Sequence, residues 1–82
     1  MTLIKEANNL YQANHIVKVT TANTDFKHIA ILFQNGATIK FFFENNGKLL
    51  SASSKIENAL LNEENIIIDQ NYLEATRTAC SI

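Results

Sequence analysis

Thr38-Ile-Lys-Phe-Phe-Phe-Glu-Asn-Asn-Gly-Lys-Leu-Leu50 is an alternating apolar strand that runs into an Asn-Gly pair. Asn-Gly is the favoured dipeptide of a two-residue hairpin turn, because both central residues need positive φ. A turn at Asn46-Gly47 sets Phe43 opposite Leu50 and Phe41 opposite Ala52, which keeps one apolar face inward. Upstream, His28-Ile-Ala-Ile-Leu-Phe33 reads as the preceding strand, with Asn35-Gly36 as the corner between the two. A two-residue loop at that corner would set Phe33 opposite Thr38 and place Ile31 on the face of Lys40. The three-residue loop Gln34-Asn35-Gly36, with its glycine left-handed, pairs Ile31 with Ile39 and Ile29 with Phe41. Only the second register gives one consistent apolar face, so it is the one expected.

Working outward, Ile16-Val-Lys-Val-Thr-Thr21 alternates as a further strand with Val17 and Val19 inward, and Ala22–Asp25 is a turn-forming cluster. The expected core is then Val17, Val19, Ile29, Ile31, Phe33, Ile39, Phe41, Phe43, Leu50 and Ala52. Leu3, Ile4, Ala7, Leu10 and Tyr11 fall on one helical face, which predicts an amphipathic helix over residues 2–14 capped by Thr2. Ser54-Lys-Ile-Glu57 has the form of a capping box and opens a short helix with Ile56, Ala59 and Leu60 on one side. Asn62-Glu-Glu-Asn65 reads as a loop, and Ile66–Ile68 is too short to assign by periodicity. From Asn71 through Cys80 the reading taken is a last helix, although Thr76, Thr78, Cys80 and Ile82 also alternate as a strand would. The expected fold is α+β in one domain, 1–82. It comprises an N-terminal helix, a three- to four-stranded antiparallel sheet with hairpins at Asn35-Gly36 and Asn46-Gly47, and one or two C-terminal helices.

Composition narrows the function classes. At 82 residues, 46% of them apolar and none proline, the chain is long enough for one small core and no more. Cys80 is the lone cysteine, so no internal disulfide framework forms, and a reducing cytosol is the expected setting. No apolar run approaches the roughly 20 residues of a membrane span, and Met1-Thr-Leu-Ile-Lys-Glu-Ala lacks the form of a signal peptide. The expectation is a cytoplasmic protein with no membrane partner.

No constellation carries chemistry. His15 and His28 are the only histidines, and twelve intervening residues with one distant thiol do not supply the closely spaced ligands of a zinc site. Nothing selects Cys80, Ser51 or Ser53 as a nucleophile beside a histidine and an orienting acid. Gly36 and Gly47 are both assigned to turns, which leaves no phosphate-binding loop. Glu63-Glu64 reads as a solvated loop pair. The expectation is therefore no catalytic residues, no metal, no cofactor and no enzymatic activity.

Two features rise above ordinary surface. The second face of the sheet carries Ile16, Lys18, His28, Ala30, Leu32, Thr38, Lys40, Phe42 and Leu49, too apolar for a purely solvent face. Either the C-terminal segment covers it, the reading taken, or it meets a partner, with Ile16, Leu32, Lys40, Phe42 and Leu49 as candidate contacts. The other feature is charge. Residues 1–55 hold six lysines against Glu6, Asp25 and Glu44, whereas residues 56–82 hold Glu57, Glu63, Glu64, Asp69 and Glu74 against Arg77. Those five carboxylates are the second set of candidate partner contacts, able to steer the domain toward a basic groove. Scattered lysines and a net charge of −1 do not make a phosphate-tracking stripe, so nucleic acid is not the expected partner.

The opening helix Leu3–Tyr11, the strand His15-Ile-Val-Lys-Val-Thr20 directly after it, the hairpins at Asn35-Gly36 and Asn46-Gly47, and the late acidic segment Glu57–Glu74 together resemble the layout of small phage-encoded anti-CRISPR proteins. That resemblance implies a stoichiometric inhibitor of a bacterial defence complex, acting without cofactor in the host cytosol on a Cas effector subunit. A net charge near zero directs the implied contact to the apolar patch. An immunity protein or antitoxin, or a homo-oligomeric phage structural component, fits the same size and composition.

Overall fold

In a computed structural model, which describes residues 1–81, the chain forms seven strands and two helices in two sheets. The strands are β1 (Leu3–Glu6), β2 (Asn9–Gln12), β3 (Ile16–Ala22), β4 (His28–Phe33), β5 (Thr38–Phe42), β6 (Ile67–Ile68) and β7 (Arg77–Ser81). The helices are α1 (Asn46–Leu61) and the single turn α2 (Gln70–Leu73), and a short 3-10 turn, Ala13–His15, joins β2 to β3. A four-stranded antiparallel sheet runs β3-β4-β5-β7, and a smaller sheet runs β2-β1-β6 with β1 and β6 parallel.

The β4–β5 hairpin forms in the expected register. Ile31 pairs with Ile39 and Ile29 with Phe41. Gly36 sits at φ +89°, its amide donates to the Phe33 carbonyl at 3.0 Å, and the Asn35 side chain accepts from the Ala37 amide at 3.0 Å. A side chain at position 36 would resist that left-handed backbone, which is why glycine stands there.

The first α-helix in the chain is α1, and the α-helix expected over residues 2–14 does not form. They form the β1–β2 hairpin, with Ile4 opposite Tyr11 and Ala7 turning the corner at φ 53°. The same apolar residues satisfy either period. A helix this short is marginal without tertiary support, whereas the hairpin gains a parallel partner in β6, Leu3 to Ile67 and Ile4 to Ile68. Thr2 caps no helix. Its hydroxyl is buried and donates to the Glu64 carbonyl at 2.6 Å, tying the N-terminus to the segment after α1.

The hairpin expected at Asn46-Gly47 is also replaced. Asn45 caps α1, its side-chain oxygen accepting from the Lys48 amide at 2.9 Å, and Asn46 and Gly47 are the first two helical residues. Leu49, Ala52, Ile56 and Ala59 are buried on one side of the helix, a three-to-four-residue spacing that outweighs the two-residue alternation of Leu50 and Ala52. Leu50 accordingly points outward and is 56% exposed. The capping box at Ser54 lies inside α1 and starts nothing.

The C-terminal helix is reduced to α2, and the alternating pattern prevails. Asp69 caps α2 by accepting from the Tyr72 amide at 2.8 Å, Glu74 closes it in the left-handed region at φ 59°, and β7 then pairs with β5. Thr78 lies opposite Phe41 and Cys80 opposite Ile39. Ile82, the last member of the alternating set, falls outside the described residues.

One apolar cluster joins the layers. Ile29, Ile31, Phe33, Ile39 and Phe41 from the large sheet meet Leu49, Ala52, Ile56 and Ala59 of α1, with Ile4, Ile68 and Leu73 closing the end. Val17 and Val19 are not in it. β3 is an edge strand, a bulge between Ile16 and Lys18 displaces Val17, and the two valines remain 59% and 38% exposed.

Candidate binding face

The register of the four-stranded sheet aligns its outward residues in three rows. Ala22, His28, Phe42 and Arg77 form the first, Thr20, Ala30, Lys40 and Ala79 the second, and Lys18, Leu32, Thr38 and Ser81 the third. Both α1 and the small sheet pack on the opposite side, and none of these twelve residues belongs to the buried cluster. The face is therefore open. The expected cover does not form: Ile68 is buried beside β1, and the C-terminal segment joins the sheet edge-on as β7.

Adding β7 changes the chemistry of this face. The Arg77 guanidinium lies 3.9 Å from the centre of the Phe42 ring, and the His28 ring lies 5.5 Å from it on the other side. A guanidinium over an aromatic face is attracted by the ring quadrupole and holds the ring in place. The His28 Nδ1 is 2.7 Å from the Phe26 carbonyl, which fixes the imidazole orientation. Lys18, Lys40 and Arg77 give the rows three cations, and no carboxylate occupies any position in them.

The candidates named from sequence divide accordingly. Leu32, Lys40 and Phe42 lie on the open face. Ile16 does not: it pairs with Phe33 and packs against the core, because the bulge after it reverses the alternation. Leu49 is fully buried in α1. Thr20, Ala22, Arg77, Ala79 and Ser81 join the face. The sequence signal for the last three was the alternation Thr76, Thr78, Cys80, whose complement is this outward set.

The five late carboxylates do not act as one patch. Glu74 reaches Lys48 at 3.6 Å and Lys55 at 3.7 Å, and Asp69 caps α2. Glu57 and Glu63 are exposed, on α1 and just after it, while Glu64 is partly buried with its carbonyl bonded to Thr2. The late carboxylates thus lie off the open sheet face, on and after α1, where Lys48 and Lys55 accompany them, and the open face holds cations alone.

Elsewhere, Tyr11 stacks on Phe33 at 4.6 Å between ring centres, and its hydroxyl is 3.7 Å from the Cys80 sulfur. That hydrogen bond, followed by burial and the nearby charges of Cys80 and Glu6, raises the Tyr11 phenol above its ordinary value. An open cleft of about 550 Å³ lies between Thr2, Ala13, Asn14, Ile16, Leu60 and Glu63, with a single ionisable side chain in its wall. Among the described residues no group of three or more histidines, cysteines and carboxylates is placed to hold a metal ion, and no helix is long and apolar enough to cross a membrane. Comparison with protein-family models, curated proteins and solved structures gives no match.

Proposed function

We propose that this chain is a non-catalytic recognition module, that its working surface is the outer face of the four-stranded sheet, and that its partner is a protein with an acidic surface. The observation that carries the reading is the composition of that face. It has partly exposed Leu32, Phe42 and Ala30 in the middle, cations on β3, β5 and β7, and no carboxylate. A contiguous apolar face left open on a small domain marks an interaction site, and a one-sign rim selects its complement and speeds encounter. A protein is favoured over nucleic acid because phosphate-tracking surfaces belong to strongly basic domains, and this chain has a net charge of −1.

The narrower reading is a stoichiometric inhibitor of a bacterial defence complex. It is supported by the features of the layout resemblance that persist, namely the strand after His15, the Asn35-Gly36 hairpin and the small size. The opening helix and the second hairpin no longer support it.

Differential capture tests the proposal. Immobilised wild type is compared with the triple variant Lys18→Glu, Lys40→Glu, Arg77→Glu and with the helical-layer variant Glu57→Lys, Glu63→Lys, in bacterial lysate with and without nuclease treatment. The expected outcome is an acidic protein retained by wild type and by the helical-layer variant and lost by the triple variant. Retention by the triple variant, or loss on nuclease treatment, refutes the assignment.

A further inference from the structure

β3 is the longest edge strand of the molecule, seven residues, and among the described residues only β4 pairs with it. The other edge of the large sheet is flanked, because Lys5–Ala7 and Asp69–Asn71 gather with Thr78 around one cleft beside β7. Natural edges are guarded by bulges and charges. Here the bulge lies at the start, between Ile16 and Lys18, and leaves Lys18–Ala22 in regular pairing. Lys18 is the one charged residue of β3 and its side chain stands on the outer face opposite Leu32, so on the inner face Val19 and Thr21 carry no guarding charge.

The direction of the edge hydrogen bonds follows from the sheet. The Phe33 amide bonds to the Ala37 carbonyl and the Phe43 amide to the Lys27 carbonyl. Bonded and non-bonded pairs alternate in an antiparallel ladder, so odd-numbered residues of β4 bond to β5 and even-numbered ones to β3. On β3, Lys18, Thr20 and Ala22 are thereby turned toward β4, opposite Leu32, Ala30 and His28. The backbone N–H and C=O groups of Val19 and Thr21 point away from the sheet. Val19 is also an exposed apolar side chain on that edge, 38% accessible.

We propose that β3 pairs antiparallel with β3 of a second copy, in the register that sets Thr20 opposite Thr20. In that register Val19 of each copy exchanges both backbone bonds with Thr21 of the other, and Thr20 takes the non-bonded central position its own ladder requires. A direct Thr–Thr pair is among the favourable cross-strand pairs. Centring the axis on Lys18 would oppose two ammonium groups, and centring it on Val19 would bring the bulge at Val17 into the ladder. The two-fold is self-complementary, as a symmetric dimer requires, and it extends the outer rows of the two sheets into one continuous face. A pairing this short buries less than a standard interface, so the equilibrium is concentration-dependent. The inference does not depend on what the outer face binds.

The test is sedimentation equilibrium of the full chain across a wide concentration range, combined with residue-resolved amide hydrogen exchange. The expected result is a reversible monomer–dimer equilibrium in which the Val19 and Thr21 amides gain protection with concentration. Thr20→Lys, at an exposed position, should abolish the dimer with its circular dichroism unchanged, and Thr20→Val should retain it. A monomer at millimolar concentration, or a dimer that survives Thr20→Lys, overturns the proposal. So does a dimer in which Val19 and Thr21 remain unprotected.

Discussion

Replacing Gly47 with alanine separates two structures that share every residue. In a two-residue hairpin at Asn46-Gly47 the glycine takes positive φ, and alanine there is strained and destabilising. In the observed fold Gly47 is the second residue of α1 with an ordinary helical backbone. Alanine exceeds glycine by roughly 1 kcal/mol in a helix interior. Two effects reduce that gain: the position lies in the first turn, and the new Cβ would meet the Asn45 side-chain oxygen at 3.4 Å, the atom that caps the helix. A net stabilisation of about 0.5 kcal/mol remains, which in a domain of this length raises Tm by about 2–4 °C. Thermal and urea unfolding of Gly47→Ala beside wild type measure it. A loss of about 1 kcal/mol or more would refute the helical assignment of residues 46 and 47.

Asn45→Ala should cost about 1 kcal/mol by removing the side-chain cap on the Lys48 amide, read from the urea midpoint. Phe41→Ala, at a fully buried position, should cost about 3–5 kcal/mol and leave little folded protein, whereas Phe42→Ala on the open face should cost clearly less; equal losses would show that the outer face is covered. Glu74→Gly removes two exposed ion pairs and relieves a left-handed glutamate, so the terms offset and stability should change by less than about 1 kcal/mol. Glu74→Lys keeps the strain and adds a third cation beside Lys48 and Lys55, so it should be the less stable of the two variants in the same unfolding assay.

The β4–β5 hairpin was legible in the sequence because two constraints coincide there. Asn35-Gly36 fixes the loop, and only one loop length brings Ile29 and Ile31 opposite Phe41 and Ile39. At Asn46-Gly47 the same dipeptide misleads, since asparagine is favoured both in tight turns and at helix starts. What distinguishes the two corners is the spacing beyond the glycine, Leu49, Ala52, Ile56, Ala59. At the N-terminus the deciding partner is β6, more than sixty residues away in sequence, and two-residue pairing with Ile67 and Ile68 leaves no periodic trace. Of the binding face, Leu32, Lys40 and Phe42 were legible from strand alternation. Arg77 was not, because its place beside Phe42 depends on β7 adding to the sheet in register, Phe42 opposite Arg77. The charge asymmetry was visible along the chain as two halves, yet in space the halves mix: Lys48 and Lys55 of α1 pair with Glu74, and only the open sheet face is left with a single sign.

An amide chemical-shift titration of the labelled domain with poly-L-glutamate tests the open cationic face most directly, before any natural partner is in hand. The shifts are expected to concentrate at Lys18, Ala30, Lys40, Phe42 and Arg77, with Lys48 and Lys55 silent because Glu74 already occupies them. Shifts spread evenly over all lysines, or centred on Lys48 and Lys55, would contradict the assignment of the recognition surface to the outer face of the sheet.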